Sequence, residues 1–304
     1  MRLKGTDITA IPTVERTSEP PRLRVGARIR ELFGYREVLV NLVRKELKVK
    51  YTASVLGAVW SLLNPIVFLA VFTFVVEVLD NRFPHYAVFL LSGLLAWNLF
   101  AGSLQSGARS VIDNANLVKK MAFPREILPF STIGVAGFDF VLQSIVLLIV
   151  IAVSGHGFDP VALWLYPLAI VTLFVFTTAL TLWAAALNVR YRDVGHLLGL
   201  ALLVWFWATP IVYQGWLVQN KLQGFLVLGI DAWTLYLLNP MTVIVLGFQR
   251  ALYGIPASDE PVLPVMSLGT LATLIVTVLG VSMILLLLAW RSFFRRAGDF
   301  AEEL

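Results

Sequence analysis

Residues 130–153 read FSTIGVAGFDFVLQSIVLLIVIAV, and this stretch decides the class of fold. It contains one charged residue, Asp139, and is otherwise apolar or weakly polar. About 20 mostly apolar residues are enough for a helix to cross the hydrocarbon core of a bilayer. The stretch therefore predicts a transmembrane helix. Asp139 within it is a candidate either for hydrogen bonding between helices or for a role in transport.

Further stretches of the same kind occur along the chain. Four are long enough to span a membrane: 56–79, 86–108, 161–187 and 266–290. A sixth, 197–214, is slightly short but contains no charge. The connections 80–85 and 155–160 are so short that their flanking helices must form antiparallel hairpins. We therefore predict an all-α integral membrane protein with six transmembrane helices.

The composition agrees with this class. The chain has 304 residues, of which 58% are apolar and 14% charged, and its mean hydropathy is +0.80. Soluble domains average about 45–50% apolar and about 25% charged residues, so a soluble enzyme is excluded. Cysteine is absent, which excludes disulfides and thiolate metal sites. The three histidines, His85, His156 and His196, lie far apart in sequence and are expected at membrane boundaries or in loops.

The N-terminal region divides into two parts. Residues 1–33 are polar, charged and contain proline, and are expected to form a disordered cytoplasmic tail. Residues 34–52 have apolar side chains at helical spacing and basic ones opposite. This pattern predicts an amphipathic interfacial helix, with a soluble helix packed on a partner domain as the alternative. The six-span domain would then cover 53–290, with a cytoplasmic C-terminal tail at 291–304.

The distribution of basic residues indicates the orientation. With six spans and both termini in the cytoplasm, 21 of the 24 Lys and Arg residues lie inside, which leaves Arg82, Lys221 and Arg250 outside. This asymmetry follows the positive-inside rule, and a seventh span would place the basic C-terminus outside. We therefore interpret the apolar pieces of 215–265 as re-entrant or interfacial helices on the outer side. Asn239, Pro240 and Arg250 are the candidate outer gate.

The sequence lacks the motifs of several catalytic classes. It contains no G-x-x-x-x-G-K-[ST] phosphate-binding loop, no G-x-S-x-G elbow and no H-E-x-x-H metal motif. It also shows no internal repeat of the kind that many secondary transporters carry. Six spans are few for a complete conduit, so a homodimer with the conduit at its interface is expected.

Five motifs follow one another along the chain: KYTASVLGAVWSLLNP from Lys50, LSGLLAWNLF from Leu91, NLVKKMAFPREILP from Asn116, LNVRYRDVGHL from Leu187 and LLNPMTVIVLGFQRALYG from Leu237. In this order they resemble the permeases of ABC-2 type polysaccharide exporters, over about residues 35–296. That family moves lipid-linked O-antigen, capsular or cell-wall glycans, or teichoic acids across the cytoplasmic membrane.

The resemblance implies a complex in which this chain transports and does not catalyse. Two permease copies would work with two copies of a separate ATPase subunit, which would hold ATP and Mg²⁺. The expected cargo is a polyprenyl-diphosphate-linked glycan, and membrane lipids surround the complex; no nucleic acid is expected. A drug or lipid efflux permease is the alternative within the family. A lipid-modifying membrane enzyme is the alternative outside it.

Two cytoplasmic segments are candidates for contact with the ATPase. The segment 114–129 places apolar side chains within a basic frame, which suits docking into a cleft. The resemblance makes it the coupling helix, with a nonspecific positive-inside loop as the alternative. Its candidate residues are Asn116, Leu117, Lys119, Lys120, Phe123, Pro124 and Arg125. The turn after 187 adds Arg190, Tyr191, Arg192 and Asp193, which alternatively serve only as a topological anchor.

Two further groups are candidates for substrate contact. Aromatic rings stack on the C–H faces of sugars, and the candidate residues in the expected spans are Trp60, Phe68, Phe72, Phe89, Trp97, Trp205 and Trp207; lipid-facing or ordinary packing is the alternative. The basic residues Arg44, Lys45 and Lys48 are expected to contact either the diphosphate of the substrate or bulk anionic lipid. Pro65 and Pro210 are expected to kink the first and fifth spans.

Overall fold

The structure is a computed structural model that describes residues 25–304 apart from 53–56, 58–59, 79–82, 122 and 255–260. In chain order, the helices of the first part are α1 Val25–Gly34, α2 Arg36–Thr52, α3 Trp60–Val78, α4 Tyr86–Asp113, α5 Ala115–Lys120, α6 Ile127–Ser154, α7 Leu165–Arg190 and α8 Val194–Trp207. The remainder comprises α9 Gly215–Leu222, β1 Leu226–Val227, β2 Ile230–Asp231, α10 Ala232–Leu237, α11 Pro240–Leu252, α12 Leu268–Arg296 and α13 Phe300–Glu303.

Helix α4 lies at the centre of the molecule. It packs against α6, α7, α8 and α11, and α7 in turn packs along α12. Side chains of α4 such as Val88, Phe100 and Ala108 are completely buried. A second, smaller cluster of buried residues lies at the other ends of the long helices and includes Leu42, Ile127 and Phe293. We call this second group the inner cluster, because it adjoins the segments expected to face the cytoplasm.

Four of the described helices are long and apolar enough to cross a membrane: α4, α6, α7 and α12. The helix expected over 56–79 is described from Trp60, and its strongly apolar part, Pro65–Val78, is short for a span. The helix expected over 197–214 is also short, since α8 ends at Trp207. The fold is therefore that of a helical membrane protein, and the total of six crossings stays a prediction.

The prediction that Pro210 kinks a fifth transmembrane helix is wrong. Pro210 follows the end of α8 instead of lying within it. Proline has no N–H to donate and disfavours helical geometry in the residue before it, so the helix ends just upstream. The carbonyl of Pro210 accepts a hydrogen bond of 2.8 Å from Gln249 Nε2 on α11. Pro65, by contrast, lies inside α3 as expected.

Helices are present within both segments that were assigned to tails, 1–33 and 291–304. Helix α1 begins at Val25, within the region 1–33 assigned to a disordered tail; residues 1–24 lie outside the described part of the chain. At the other end, α12 continues to Arg296, and Phe300 of α13 is completely buried in the inner cluster. The reason is contact with distant elements, which composition does not reveal.

The outer segment 215–265 contains the short helices that were expected there, together with a small hairpin. Strands β1 and β2 pair antiparallel, and Leu228 and Gly229 at the tip have positive φ angles of 52° and 79°. Helix α11 begins with Pro240 after Asn239, whose side chain accepts a hydrogen bond from the Met241 amide. Nearly every residue of α11 is buried, so this helix belongs to the core.

Candidate functional site

The segment expected to contact the ATPase forms a short helix with one anchored side. Helix α4 ends at Asp113, α5 follows at Ala115–Lys120, and Met121 is extended. Val118 is only 4% exposed and holds α5 against the inner cluster. Lys119 and Lys120 are exposed, and so is the apolar Met121, at 57%. The segment therefore presents a basic and apolar surface to the outside of the chain.

A cavity of about 500 Å³ separates this segment from the amphipathic helix α2. Three of the predicted coupling residues line it, Asn116, Leu117 and Phe123, and so does Lys45 of the predicted headgroup set. Lys45 Nζ lies 3.4 Å from Asn114 Oδ1, and Arg44 and Lys48 are exposed along α2. Residues of the predicted coupling set and of the predicted headgroup set therefore line the same cavity. Their roles in coupling and in headgroup contact stay predictions.

Glu126, within the segment 114–129, has a completely buried side chain. Arg28 of α1 binds it through two bonds, Nε to Oε1 at 2.9 Å and Nη2 to Oε2 at 2.7 Å. The indole Nε1 of Trp290 on α12 donates to Oε1 at 3.2 Å. The guanidinium also lies over the Phe294 ring, 4.8 Å from its centroid. We call these four residues the Glu126 latch, because they join α1, the start of α6 and the end of α12.

The acidic neighbours of Arg28 favour its charged state. Burial by itself would lower the pKa of Arg28, but the hydrogen bonds and charges of Glu126 and Glu31 outweigh it, and the pKa is raised. A bidentate pair between a guanidinium and a carboxylate is among the strongest polar contacts in proteins. A buried carboxylate without such a partner would be strongly destabilising, so α1 is held in place by Glu126.

Arg125 has a different environment from its neighbour Glu126. Its Nη1 atom is buried and has no hydrogen-bond partner within the described part of the chain. Burial lowers the pKa of Arg125, and the charges of Asp299 and Glu126 only partly oppose this effect. The unpartnered donor is enclosed by the chain itself, so the role of Arg125 in contact with the ATPase stays a prediction.

The turn after α7, which the sequence predicts to face the cytoplasm, is fixed by Asn188, a residue outside the predicted contact set. Asn188 is buried, donates from Nδ2 to the Ala108 carbonyl at 2.9 Å, and accepts from the Gly195 amide at 2.9 Å. The predicted contact residues of the turn are exposed: Arg190, Tyr191, Arg192 and Asp193. The Arg190 guanidinium lies 5.5 Å from the Tyr191 ring centroid. Asn188 thus fixes the turn to α4 and leaves its charged residues accessible.

The aromatic residues expected along the substrate path fall into two environments. Phe89 and Trp97 are buried in the core of the chain, at 0% and 7% exposure. Phe68 and Phe72 of α3 pack edge-on against Phe206 and Trp207 of α8, with centroids 5.8 and 6.3 Å apart. The side chain of Trp60 lies outside the described part of the structure. Contact of these rings with substrate stays a prediction.

The residues assigned to an outer gate lie in a hydrogen-bonded region. Asn239 accepts from Trp205 Nε1 at 2.7 Å and donates to the Ala208 carbonyl at 3.1 Å, so it links α8 to α11. Pro240 lines an open apolar hollow beside them. Arg250 pairs with Asp159 of the α6–α7 loop at 2.9 Å.

Two of the histidines meet on the same side. The rings of His85 and His156 have centroids 4.8 Å apart, and His156 Nε2 lies 2.7 Å from the Tyr253 carbonyl oxygen. Burial lowers the pKa of His156; the Tyr253 carbonyl opposes this, and the neighbouring His85 adds to it. Among the residues that the structure describes, no group of three His, Asp or Glu side chains is placed to hold a metal ion.

The missed residues share one property, which is that their partners are distant in sequence. Glu126 was visible as part of the PREI motif that follows Phe123, yet nothing nearby indicates Arg28 or Trp290 as its partners. Asn188 similarly lies inside the motif LNVRYRDVGHL, where the charged residues drew attention. A polar residue between apolar neighbours at the end of a span was the available signal.

The arrangement defines a class: a polytopic helical membrane protein with a basic, partly apolar surface beside the ends of its long helices. Residues 37–253 match the ABC-2 type transporter family, and the chain belongs to that family.

Curated relatives agree with the family and narrow it. The O-antigen export system permease protein RfbA of Myxococcus xanthus is 32% identical over 277 residues, which is 91% of this chain and 98% of that protein. Two proteins of the same name from Klebsiella pneumoniae are 32% identical over 188 residues and 29% identical over 217 residues. These alignments cover 61% and 70% of this chain, and 72% and 79% of the relatives.

Proposed function

We propose that this chain is the membrane subunit of an ATP-driven exporter that moves a lipid-linked polysaccharide across the cytoplasmic membrane. The observation that carries the proposal is the match to an O-antigen export permease along nearly the whole of both chains. Drug or lipid efflux, the alternative within the family, gains no support from these relatives. ATP and Mg²⁺ would bind to a separate ATPase subunit, because the sequence has no phosphate-binding loop.

The coupling segment is the proposed input for motion of the ATPase. Its exposed Lys119, Lys120 and Met121 are suited to a cleft with acidic and apolar walls. Because the Glu126 latch joins this segment to α1 and α12, a push on the segment would be transmitted to both helices. Two copies of the chain, with both termini in the cytoplasm, would enclose the conduit and shift between closed and open states.

Co-purification tests the partnership. The full chain, with an affinity tag, is expressed in its producing cells, and the ATPase subunit and surface glycan are measured together. Lys119→Glu with Lys120→Glu is expected to lower the amount of bound ATPase by about tenfold or more, since like charges would face its acidic cleft. The matched control is Lys221→Glu, a basic residue on the expected outer side, which should leave both readouts unchanged.

Two results would overturn the proposal. One is normal surface glycan in cells that lack the gene, and the other is a chain that purifies without any P-loop ATPase from cells that export glycan. An ATPase bound equally by the control and by the double variant would refute only the role of the coupling segment.

A further inference from the structure

One face of the central helix α4 is polar along half of its length. Asn98, Gly102, Gln105 and Arg109 are three or four residues apart, and Ser106, four residues after Gly102, lies on the same face. Gly102, Gln105, Ser106 and Arg109 are exposed, and Asn98 is half-buried. At 1.5 Å per residue the stripe is about 16 Å long. The rest of α4 is packed into the core, so this face is the part of the helix that the chain leaves uncovered.

Helix α6 contributes a second polar stripe that faces the first. Asn98 Nδ2 donates to Gln143 Oε1 at 3.0 Å across the two helices. Thr132 and Asp139 of α6 line one cavity of about 330 Å³ together with Ser106 of α4 and with Glu46 and Lys50 of α2. We call this space, between α2, α4 and α6, the polar groove.

The ends of the polar groove carry charge and aromatic rings. Lys50 Nζ is 2.6 Å from Asp139 Oδ2, and Tyr51 donates a hydrogen bond to the other oxygen of the same carboxylate. Burial alone would lower the pKa of Lys50, but Asp139 outweighs it and the pKa is raised. The Phe138 ring, 42% exposed, lies 6.2 Å from that of Tyr51.

The opposite face of α6 is apolar and exposed, in contrast to the polar face that borders the groove. Val141, Ile145 and Leu148 lie about half a turn away from the polar stripe and are 50–55% exposed, as side chains that face lipid should be. Polar side chains within a span, such as Gln105 and Asp139, would lose hydrogen bonds if they faced hydrocarbon. The polar groove is therefore built to face water or a polar ligand.

We propose that the polar groove is a saccharide-binding part of the export path, which rests on the proposed function. Amide, hydroxyl and carboxylate groups hydrogen-bond sugar hydroxyls, and the exposed Phe138 edge suits a sugar C–H face. A diphosphate fits poorly, because Glu46 and Asp139 place two carboxylates beside the single ammonium of Lys50. A volume of this size lies within the range of small-ligand sites and holds one or two sugar units of a longer chain.

Photo-crosslinking in the complete exporter tests the site. p-Benzoylphenylalanine replaces Gln105 in the full chain, in cells that synthesise the glycan, and the matched control replaces Leu148 on the lipid-facing side of α6. After irradiation, glycan-bearing adducts of the purified chain are detected by lectin or antiserum. We expect adducts at position 105 that disappear when glycan synthesis is blocked, and none at position 148.

Substitutions provide an independent readout. Gln105→Leu with Ser106→Leu removes the exposed hydroxyl of Ser106 from the polar groove and the exposed amide of the adjacent Gln105 from the polar face of α4, without touching the core. Loss of about two hydrogen bonds to the glycan should reduce export by about tenfold or more, with unchanged chain abundance and ATPase binding. The conservative pair Gln105→Asn with Ser106→Thr should retain most of the export.

The outcomes separate this inference from the proposed function. Crosslinks at position 105 to a second copy of the chain, lipid adducts alone, or unchanged export in the leucine pair would each overturn the saccharide site. If cells that lack the gene still export glycan, the proposed function fails as well. If they do not, and position 105 gives no glycan adduct, the inference alone fails.

Discussion

At the scale of single residues, the Glu126 latch shows how a charge is kept inside this chain. The carboxylate is completely buried and receives three hydrogen bonds, from Arg28 and Trp290. Breaking such a pair by removing one partner destabilises proteins more than replacing both partners by apolar groups. The contribution of Arg28 to the free energy of unfolding therefore depends on the presence of Glu126.

We expect Arg28→Met to lower the free energy of unfolding by about 3 kcal/mol, since Glu126 would remain buried without its partner. Thermal unfolding in detergent, followed by tryptophan fluorescence, measures this loss. The double variant Arg28→Met with Glu126→Leu should recover much of the stability. Arg30→Met, on the exposed side of the same helix, is the control and should change stability by less than about 0.5 kcal/mol. Equal unfolding temperatures for Arg28→Met and Arg30→Met would contradict the role of the latch.

The lowered pKa of His156 predicts that the stability of the folded chain depends on pH. Because burial lowers its pKa below the ordinary value of about 6.5, the unfolded chain binds a proton more readily than the folded one. The stability associated with His156 is then fully present above about pH 6.5 and is lost as the pH falls below it.

The measurement compares unfolding temperatures between about pH 7.5 and about pH 5.5, the window in which the imidazole titrates. His156→Gln, which does not titrate, should show a smaller decrease on acidification than the unmodified chain. His196→Gln replaces an exposed histidine and is the control. An identical pH profile for His156→Gln and the unmodified chain would show that His156 does not contribute.

At the scale of elements, close packing of α4 against α7 depends on Gly107. A Cβ atom at this position would overlap the Cγ2 methyl of Thr181 on α7. We expect Gly107→Ala to destabilise the chain by about 1–3 kcal/mol through overpacking. Gly102→Ala in the same helix is the control, because a Cβ there meets nothing within 4 Å.

Rescue distinguishes this steric effect from a general effect of alanine. Thr181→Ser removes the methyl group, so the pair Gly107→Ala with Thr181→Ser should unfold at a higher temperature than Gly107→Ala alone. Thermal unfolding in detergent gives both values. If Gly107→Ala and Gly102→Ala unfold alike, the contact is looser than the structure indicates.

The long helices were predictable from the sequence, and their contacts were not. Uninterrupted apolar runs locate α4, α6, α7 and α12 to within a few residues, because a span has a required length. The end of α8 at Trp207 depends on Asn239 and Gln249, which bind the backbone beyond it from α11. Local hydropathy does not reveal partners that are distant in sequence, so the sequence predicts a single helix over 197–214.

The candidate site was predictable to a similar extent. The basic and apolar residues of 114–129 predict an exposed segment for contact with a partner, since charge and position between two spans are local properties of the sequence. The partners of Glu126 are 98 and 164 residues away, and only the fold brings them together. The polar stripe of α4 is visible at helical spacing, but its meaning depends on which face the core leaves exposed.

At the scale of the whole molecule, orientation in the membrane is open to a direct test. The chain has no cysteine, so single cysteines report their own position without background. Leu228→Cys lies at the hairpin tip, where the side chain is 98% exposed, and Glu303→Cys lies near the C-terminus. An impermeant maleimide added to intact spheroplasts should label the first, and the second only after permeabilisation. Labelling of position 303 from outside would indicate an odd number of crossings.

The order of synthesis determines when the Glu126 latch can form. Arg28 emerges from the ribosome early, Glu126 later, and Trp290 of the last long helix nearly at the end. At about 5–20 residues per second, Arg28 waits on the order of 10–50 s for the complete set of partners. The pair between Arg28 and Glu126 can form once Glu126 has been made, whereas Trp290 and Phe294 complete the latch only when synthesis is almost finished. A chain truncated before α12 therefore lacks Trp290 and Phe294 of the latch, and we expect its helix α1 to be more sensitive to proteases than that of the complete chain.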